Sequence, residues 1–206
     1  MPARPFHLGW FPRGSSVEAW GESWTGHIGK SWMVPDLFMD LAKSLERACF
    51  DYVLIEDSSY AGESHGGSTA LYLKHAIAVP RQDPSVVAAW MCQVTSRIGI
   101  VTTFGIYAYP PYLLARLMAT LDQVSSGRAG WNAVTGSSDF AAMNFGLSEH
   151  DLRYDMADEY MDVCKQLWGS WEPGAIAADR VSGMLIDPSK VHAVNFEARF
   201  FKTRGR

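Results

Sequence analysis

The chain has 206 residues, of which 48% are hydrophobic and 19% charged, with 18 Lys and Arg against 22 Asp and Glu. That composition can bury a core of single-domain size and excludes a disordered chain. A formal charge of −4 without a basic run excludes electrostatic nucleic-acid binding as the main activity, and no apolar stretch reaches the roughly 18 residues of a membrane span.

The opening MPARPFHLGWF turns polar and Gly-rich before an apolar signal region forms, so no signal peptide is expected and the protein is expected to be cytoplasmic. Phe6 to Phe11 suits a short buried strand ended by Pro12 and Gly14. Residues 12–34 read as a long loop carrying Trp20, Trp24 and Trp32, after Trp10. Aromatic rings in such a loop either pack over a core or line a pocket for a flat, apolar ligand. Pro35-Asp36 opens a helix whose apolar face is expected to be Leu37, Leu41, Leu45 and Ala48. Residues 51–56 form a second strand ending in Glu56-Asp57, followed by a polar excursion in which 68–82 is ambiguous.

Asp83-Pro84 pairs an N-cap with a first-position proline, and the helix to Ser96 should bury Val86, Val87, Trp90 and Val94. Residues 98–103 are a third strand and 112–124 a third helix, broken at Ser126-Gly127. Residues 129–134 are a fourth strand, and Asp151 to Trp168 a fourth long helix. Residues 169–206 show short strand-like pieces such as 199–203. Cys49, Cys92 and Cys164 are odd in number and widely spaced, which reads as free, buried thiols.

Four β-loop-α repeats with continuously apolar strands imply a parallel sheet covered by helices. Long excursions follow each strand and short returns follow each helix, the asymmetry of a TIM barrel. No G-x-G-x-x-G follows the first strand, which weakens a dinucleotide-binding alternative. A closed barrel needs eight such units and about 250 residues.

The stretch Leu121-Asp-Gln-Val-Ser-Ser-Gly-Arg-Ala-Gly-Trp-Asn-Ala-Val-Thr135 resembles the LDQLSGGRxGWNxVTS signature of the nitrilotriacetate monooxygenase group, bacterial-luciferase-like enzymes. Phe50-Asp51, Ile55-Glu56-Asp57, Tyr109-Pro-Pro-Tyr112, Asn144-Phe-Gly146, His150, Arg153-Tyr-Asp155 and Glu159 extend the resemblance. So do Lys165, Leu167, Trp168, Trp171 and Asp187 to His192, until it covers nearly the whole chain in order. Two departures stand out: Gly136 where the group usually has Ser, and Asn195 to Ala198 where it has H-x-G. The resemblance implies an α/β (β/α)8 TIM barrel with about its first four units here. Residues 1–206 are then expected to be the N-terminal half, with 169–206 an insertion after the fourth helix.

It also implies a flavin-dependent monooxygenase that uses O2 and reduced FMN, supplied by a separate flavin reductase, to oxygenate a small organic substrate. Asp57, Thr103, Asn132, His150 and Tyr154 are the positions carried over as FMN-binding. Each has a plain alternative. Asp57 could be a loop carboxylate, Thr103 a backbone-satisfied barrel threonine, and His150 with Tyr154 a pair packing the helix on its neighbour. Asn132 is poorly suited to a strand interior, so a hydrogen bond to the flavin or to a neighbour would explain it. The histidines lack HxH or HExxH spacing, so no metal is expected. Two further readings remain: a non-catalytic half-barrel that pairs with another copy through open sheet edges, and a deazaflavin-dependent oxidoreductase of the same fold. Pairing into a homo-oligomer is expected.

Overall fold

The computed structural model describes residues 6–12, 31, 34–136, 138–146 and 152–205. Its centre is a four-stranded parallel sheet of β1 (Gly9–Trp10), β2 (Tyr52–Ile55), β3 (Gly99–Gly105) and β4 (Ala129–Val134), ordered β1-β2-β3-β4. Sequential order without a reversal is the winding of a barrel arc; a doubly wound sheet reverses direction at a switch point. The registers pair Gly9 with Tyr52, Tyr52 with Gly99, and Ile100 with Ala129. The first strand is shorter than its apolar run, with two residues in the ladder.

The crossovers are α1 (Pro35–Arg47), α2 (Ala70–Lys74) with α3 (Pro84–Val94), and α4 (Pro111–Ser125); α5 (Asp139–Met143) and α6 (Leu152–Gly169) follow β4. The ambiguous 68–82 segment thus holds the single short helix α2. Asp83 caps α3, its side chain accepting from the Ser85 N–H at 2.8 Å. Ser126 ends α4 in the left-handed region at φ 59°, and Gly127 follows at φ 84°. Thr102 Oγ1 lies 3.6 Å from Met118 Sδ, so Ile100, Thr102 and Phe104 face the helices, and alternation turns Val101 and Thr103 to the opposite face.

Two helix faces differ from expectation. In α1 the buried residues are Phe38, Ala42 and Leu45; Leu37 and Leu41 flank them, and Ala48 is the exposed C-cap. The i, i+4, i+7 set centred on Phe38 is the better stripe, because that ring reaches Trp90 of α3 at 6.1 Å between centroids. In α3 the buried set is Pro84, Val87, Ala88, Met91 and Cys92, while Val86 is 46% exposed. Val86 is one position before Val87, so it points off the stripe. Cys92 and Cys164 are buried free thiols, but Cys49 is exposed, sitting at φ 61° in the turn after α1.

Beyond α6, two antiparallel hairpins form, β5 (Ile176–Asp179) with β6 (Met184–Ile186) and β7 (Val194–Glu197) with β8 (Lys202–Gly205). The aromatic pair Phe200-Phe201 is the turn before β8, which corrects the 199–203 strand. Its two N–H groups donate to the Glu159 carboxylate at 2.6–3.1 Å, and Phe201 meets Tyr160 edge-on at 5.3 Å. The second hairpin is thereby held to α6. No helix among the described residues is long and apolar enough to cross a membrane.

The end of the sheet where strands begin is closed by charged side chains on backbone. The Glu46 carboxylate accepts from the N–H groups of Ser96, Arg97 and Ile98 at 3.0, 2.8 and 3.0 Å. Partial burial pushes this carboxyl up, but those three donors and the Arg97 charge outweigh it and bring it down to about 2. Arg128 donates from Nε to the Ser125 carbonyl at 2.7 Å and from Nη1 to the Ile98 carbonyl at 2.6 Å. Its Nη2 reaches the Thr95 carbonyl at 3.0 Å. Asp51 accepts from the Leu8 N–H at 2.7 Å.

Because the Glu46 carboxyl is lowered in the folded chain, its stabilisation is complete above the ordinary value of 4.5 and is lost as pH falls towards about 2. Glu46→Gln should cost about 1 kcal/mol at pH 7, given the partial exposure. In denaturant melts the gap between wild type and variant should shrink steadily below about pH 4.5. A gap independent of pH would refute the carboxylate clamp.

Candidate functional site

The opposite end of the sheet, where strands finish, is open and lined by the long excursions. A cavity of about 800 Å³ lies there. Its walls come from Glu56, Asp57 and Ser58 at the exit of β2, Tyr60, Tyr72 and Ala78 from the 57–83 excursion, Tyr107 after β3, and Val134 to Gly136 after β4. Arg81, Ser138, Ala141 and Tyr154 complete it.

Asp57 follows directly from β2, so the rigid strand aims it at the cavity. Burial pushes its carboxyl above the ordinary 3.8; the Ser58 N–H and Arg81 pull it down, while Asp83 and Glu56 push it up. Tyr107 is pushed up by burial and by the charge of Asp57, against a pull from Arg153. Tyr109 donates its hydroxyl to Asp83 Oδ2 at 3.1 Å, and its pKa is pushed up to about 12 by burial and then by Asp83. Both phenols therefore stay protonated at neutral pH.

Tyr154, near the start of α6, is exposed and borders the cavity. Thr103 and Asn132 are cross-strand partners on the sheet face turned from the helices, and the Asn132 amide donates to Thr103 Oγ1 at 3.1 Å. Asn132 thus has a partner that justifies it in a strand, and its amide oxygen is not used in that bond. The pair sits beside the cavity wall rather than in it. His150 lies outside the described residues.

Sequence reasoning passed over the groups that hold the cavity's shape. Arg153 has no solvent exposure; it donates to the carbonyls of Thr135 and Gly136 at 3.4 and 3.2 Å and to Asp139 Oδ1 at 2.6 Å. One guanidinium therefore ties the loop after β4 to α5 and α6. Its i+3, i+4 and i+7 spacing to Met156, Ala157 and Tyr160, which puts a charge on the buried stripe of α6, was the available signal. Across the mouth, Tyr60 stacks on Phe140 at 6.5 Å, Phe145 packs on Tyr107 at 5.2 Å, and the Asn144 amide donates to the Ser59 carbonyl.

A sequentially wound parallel sheet with a cavity at the strand ends defines a TIM-barrel-type ligand site. The chain belongs to the luciferase-like monooxygenase family, whose profile matches residues 16–205. A dibenzothiophene-sulfone monooxygenase of Rhodococcus erythropolis strain XP is 38% identical over 208 residues, covering 98% of this chain and 46% of that protein. Nitrilotriacetate monooxygenase component A of Aminobacter aminovorans is 35% identical over 177 residues, covering 82% of this chain and 38% of that protein. The crystal structure of a long-chain alkane monooxygenase superposes with a TM-score of 0.90 at 32% identity, over 98% of this chain and 48% of that one. A riboflavin lyase crystallised with modified FMN and riboflavin gives 0.87 at 32% identity, over 98% and 46%. The α/β partial-barrel expectation and the resemblance to the nitrilotriacetate monooxygenase group are thus both met. The chain spans about half the length of the curated relatives it matches.

Gly136, where the signature usually has Ser, adopts φ 80°, and a Cβ there would stand 2.8 Å from the Tyr107 ring. Gly136→Ser should cost about 1–2 kcal/mol from the left-handed backbone alone and displace Tyr107 from the cavity wall. Thermal melts with Tyr107 side-chain NMR check this; an unchanged melt and ring environment would contradict it.

Proposed function

We propose that this chain is the flavin-binding half of a two-component monooxygenase, in which reduced FMN from a separate flavin reductase and O2 are used to oxygenate a small organic substrate. The observation that carries this is the cavity at the strand ends, lined by Asp57, Tyr107, Tyr154 and the loop after β4, in a member of the luciferase-like family. The printed name "component A" of one relative supports a separate partner, and the FMN in the riboflavin lyase crystal supports the cofactor.

The residues fit a flavin. About 800 Å³ is within the range of small-molecule and cofactor pockets. Asp57, Tyr154, and the Thr103–Asn132 pair beside them offer donors and acceptors for a heteroaromatic edge, while His150 is proposed to join Tyr154 at the phosphate or ribityl end. When bound, the flavin supplies the redox chemistry with O2. The chain's own residues do the rest: the strand ends orient the ring, and the bridge of Tyr60, Phe140 and Asn144 over the mouth excludes water. Phe140 and Phe145, packed on the cavity residues Tyr60 and Tyr107, are exposed, which supports a flat or apolar substrate.

Residues 1–206 are proposed as the N-terminal half of the barrel, with the two hairpins of 169–206 as an insertion after α6. A homo-oligomer is part of the same reading.

Fluorescence titration of FMN into the chain should show binding that Asp57→Ala or Thr103→Ala weakens by about 1–3 kcal/mol, up to roughly a hundredfold in Kd. Unchanged affinity in both variants would remove these residues from the site. With protein containing this segment, NADH and FMN should give no oxygenated product until a flavin reductase is added. Turnover without the reductase would contradict the two-component reading.

A further inference from the structure

Two glycines stand where the tip of one aromatic ring needs room. Gly105 closes β3 on the sheet face that carries Val101 and Thr103, and Gly136 lies in the loop after β4. A Cβ on Gly105 would stand 2.7 Å from Tyr107 Cζ and 2.9 Å from its Cε1. A Cβ on Gly136 would stand 2.8 Å from both Cε1 and the hydroxyl oxygen of the same ring. Both glycines therefore make way for the hydroxyl-bearing end of Tyr107. Glycine weakens a strand, and there it often marks the close approach of another group; here that group is a phenol. Phe145 packs on the ring at 5.2 Å, and Arg153 holds the Gly136 carbonyl at 3.2 Å, fixing the backbone against which the tip rests.

The tip so placed is on the cavity wall and has no hydrogen-bond partner among the described residues. Neighbouring phenols differ. Tyr72 pairs with the Ser64 hydroxyl, Tyr109 donates to Asp83 at 3.1 Å, and Tyr160 donates to the Tyr109 carbonyl at 2.8 Å. A half-buried phenol ordinarily finds such a partner. Tyr107 is protonated at neutral pH, so what it offers the cavity is a donor.

We propose that Tyr107 is a ligand-binding residue whose hydroxyl donates a hydrogen bond to a carbonyl oxygen or ring nitrogen on the edge of a planar heteroaromatic ligand, with Gly105 and Gly136 as its positioning residues. Naming that ring an isoalloxazine rests on the function proposed above; the seating of Tyr107 on two glycines does not. The surroundings favour a neutral acceptor over a phosphate. Among the described residues lining the cavity the one cation, Arg81, faces Glu56 at 3.3 Å. The charge of Arg153 behind the wall is taken up by Asp139 and two loop carbonyls. The tip also stands one step along the strand beyond the Thr103–Asn132 pair on the same face, so polar atoms and the Phe145 ring border it together, which suits a flat ligand with acceptors on its rim.

Lumiflavin, which has the ring but neither ribityl chain nor phosphate, is the probe, titrated into the chain by fluorescence beside FMN. Tyr107→Phe keeps the ring and removes the hydroxyl, and it should weaken both flavins by the same factor, about tenfold. Gly105 is outside the left-handed region, so Gly105→Ala adds no backbone strain; it should weaken both at least as much by driving the tip off the wall. In a Tyr107→Ala background the same Gly105→Ala change should cost nothing further, because no ring is left to displace.

Equal affinity of wild type and Tyr107→Phe for lumiflavin would overturn the assignment and leave the flavin reading standing. A loss confined to FMN would move the bond to the phosphate and overturn the ring contact. Losses from Gly105→Ala and Tyr107→Ala that simply add would overturn the positioning role of the glycine. If Gly105→Ala does not fold, Tyr107→Phe decides alone. A wild-type chain that binds neither flavin would overturn the flavin reading and this assignment together.

Discussion

The Glu46 carboxylate on three successive N–H groups, together with the Arg128 guanidinium on three carbonyls, is the constraint on which the rest of the molecule depends. Parallel strands cannot be joined by tight hairpins, so each return from helix to strand must turn the chain in a few residues and find partners for its backbone. Glu46 fixes the return from α3 into β3, and Arg128 joins that return to the one from α4 into β4. Asp51 performs the same service for β1, accepting from Leu8 while its own carbonyl takes the Gly99 N–H at 2.8 Å. The strands are thereby aligned from one end. The register that sets Thr103 beside Asn132, and that brings Asp57, Tyr107 and Gly136 to one cavity, follows from this.

The other end is built from different materials. Its contacts are ring stacking, a buried arginine on loop carbonyls, and the Arg81–Glu56 ion pair in the cavity wall. Such contacts hold a shape while leaving polar atoms directed at the cavity, which a ligand site needs and a purely structural turn does not. The division between a fixed end and a ligand-facing end is the general design of this fold. Here it can be traced to particular side chains.

Much of this architecture was legible in the sequence. Continuous apolar runs between amphipathic helices give a parallel sheet, and Asp83-Pro84 and Ser126-Gly127 carry their own capping chemistry, so their boundaries fell within a residue or two. Helix faces were less legible. Choosing Leu37 over Phe38, or counting Val86 as buried, turns on one-residue rotations that depend on what the neighbouring helix presents. The hairpins after α6 were hidden because their residues are mostly exposed and lack an alternating apolar face. In the site, Asp57 and Tyr154 came from the motif and do border the cavity. Glu56 and Arg153 stand in the quoted motifs without a role, and Arg81 in none, since their contacts are made with partners distant in sequence such as Thr135 and Asp139 for Arg153 and Glu56 for Arg81.

Native-state amide hydrogen exchange tests the central division most directly. The amides of Ser96, Arg97, Ile98 and Ile100 sit at the clamped end and should exchange only through global unfolding, with free energies equal to that of the whole chain. Amides of 57–83 and 138–146 should exchange through local openings of much lower free energy. Exchange at Ser96 to Ile98 as fast as in the 57–83 excursion would contradict the account.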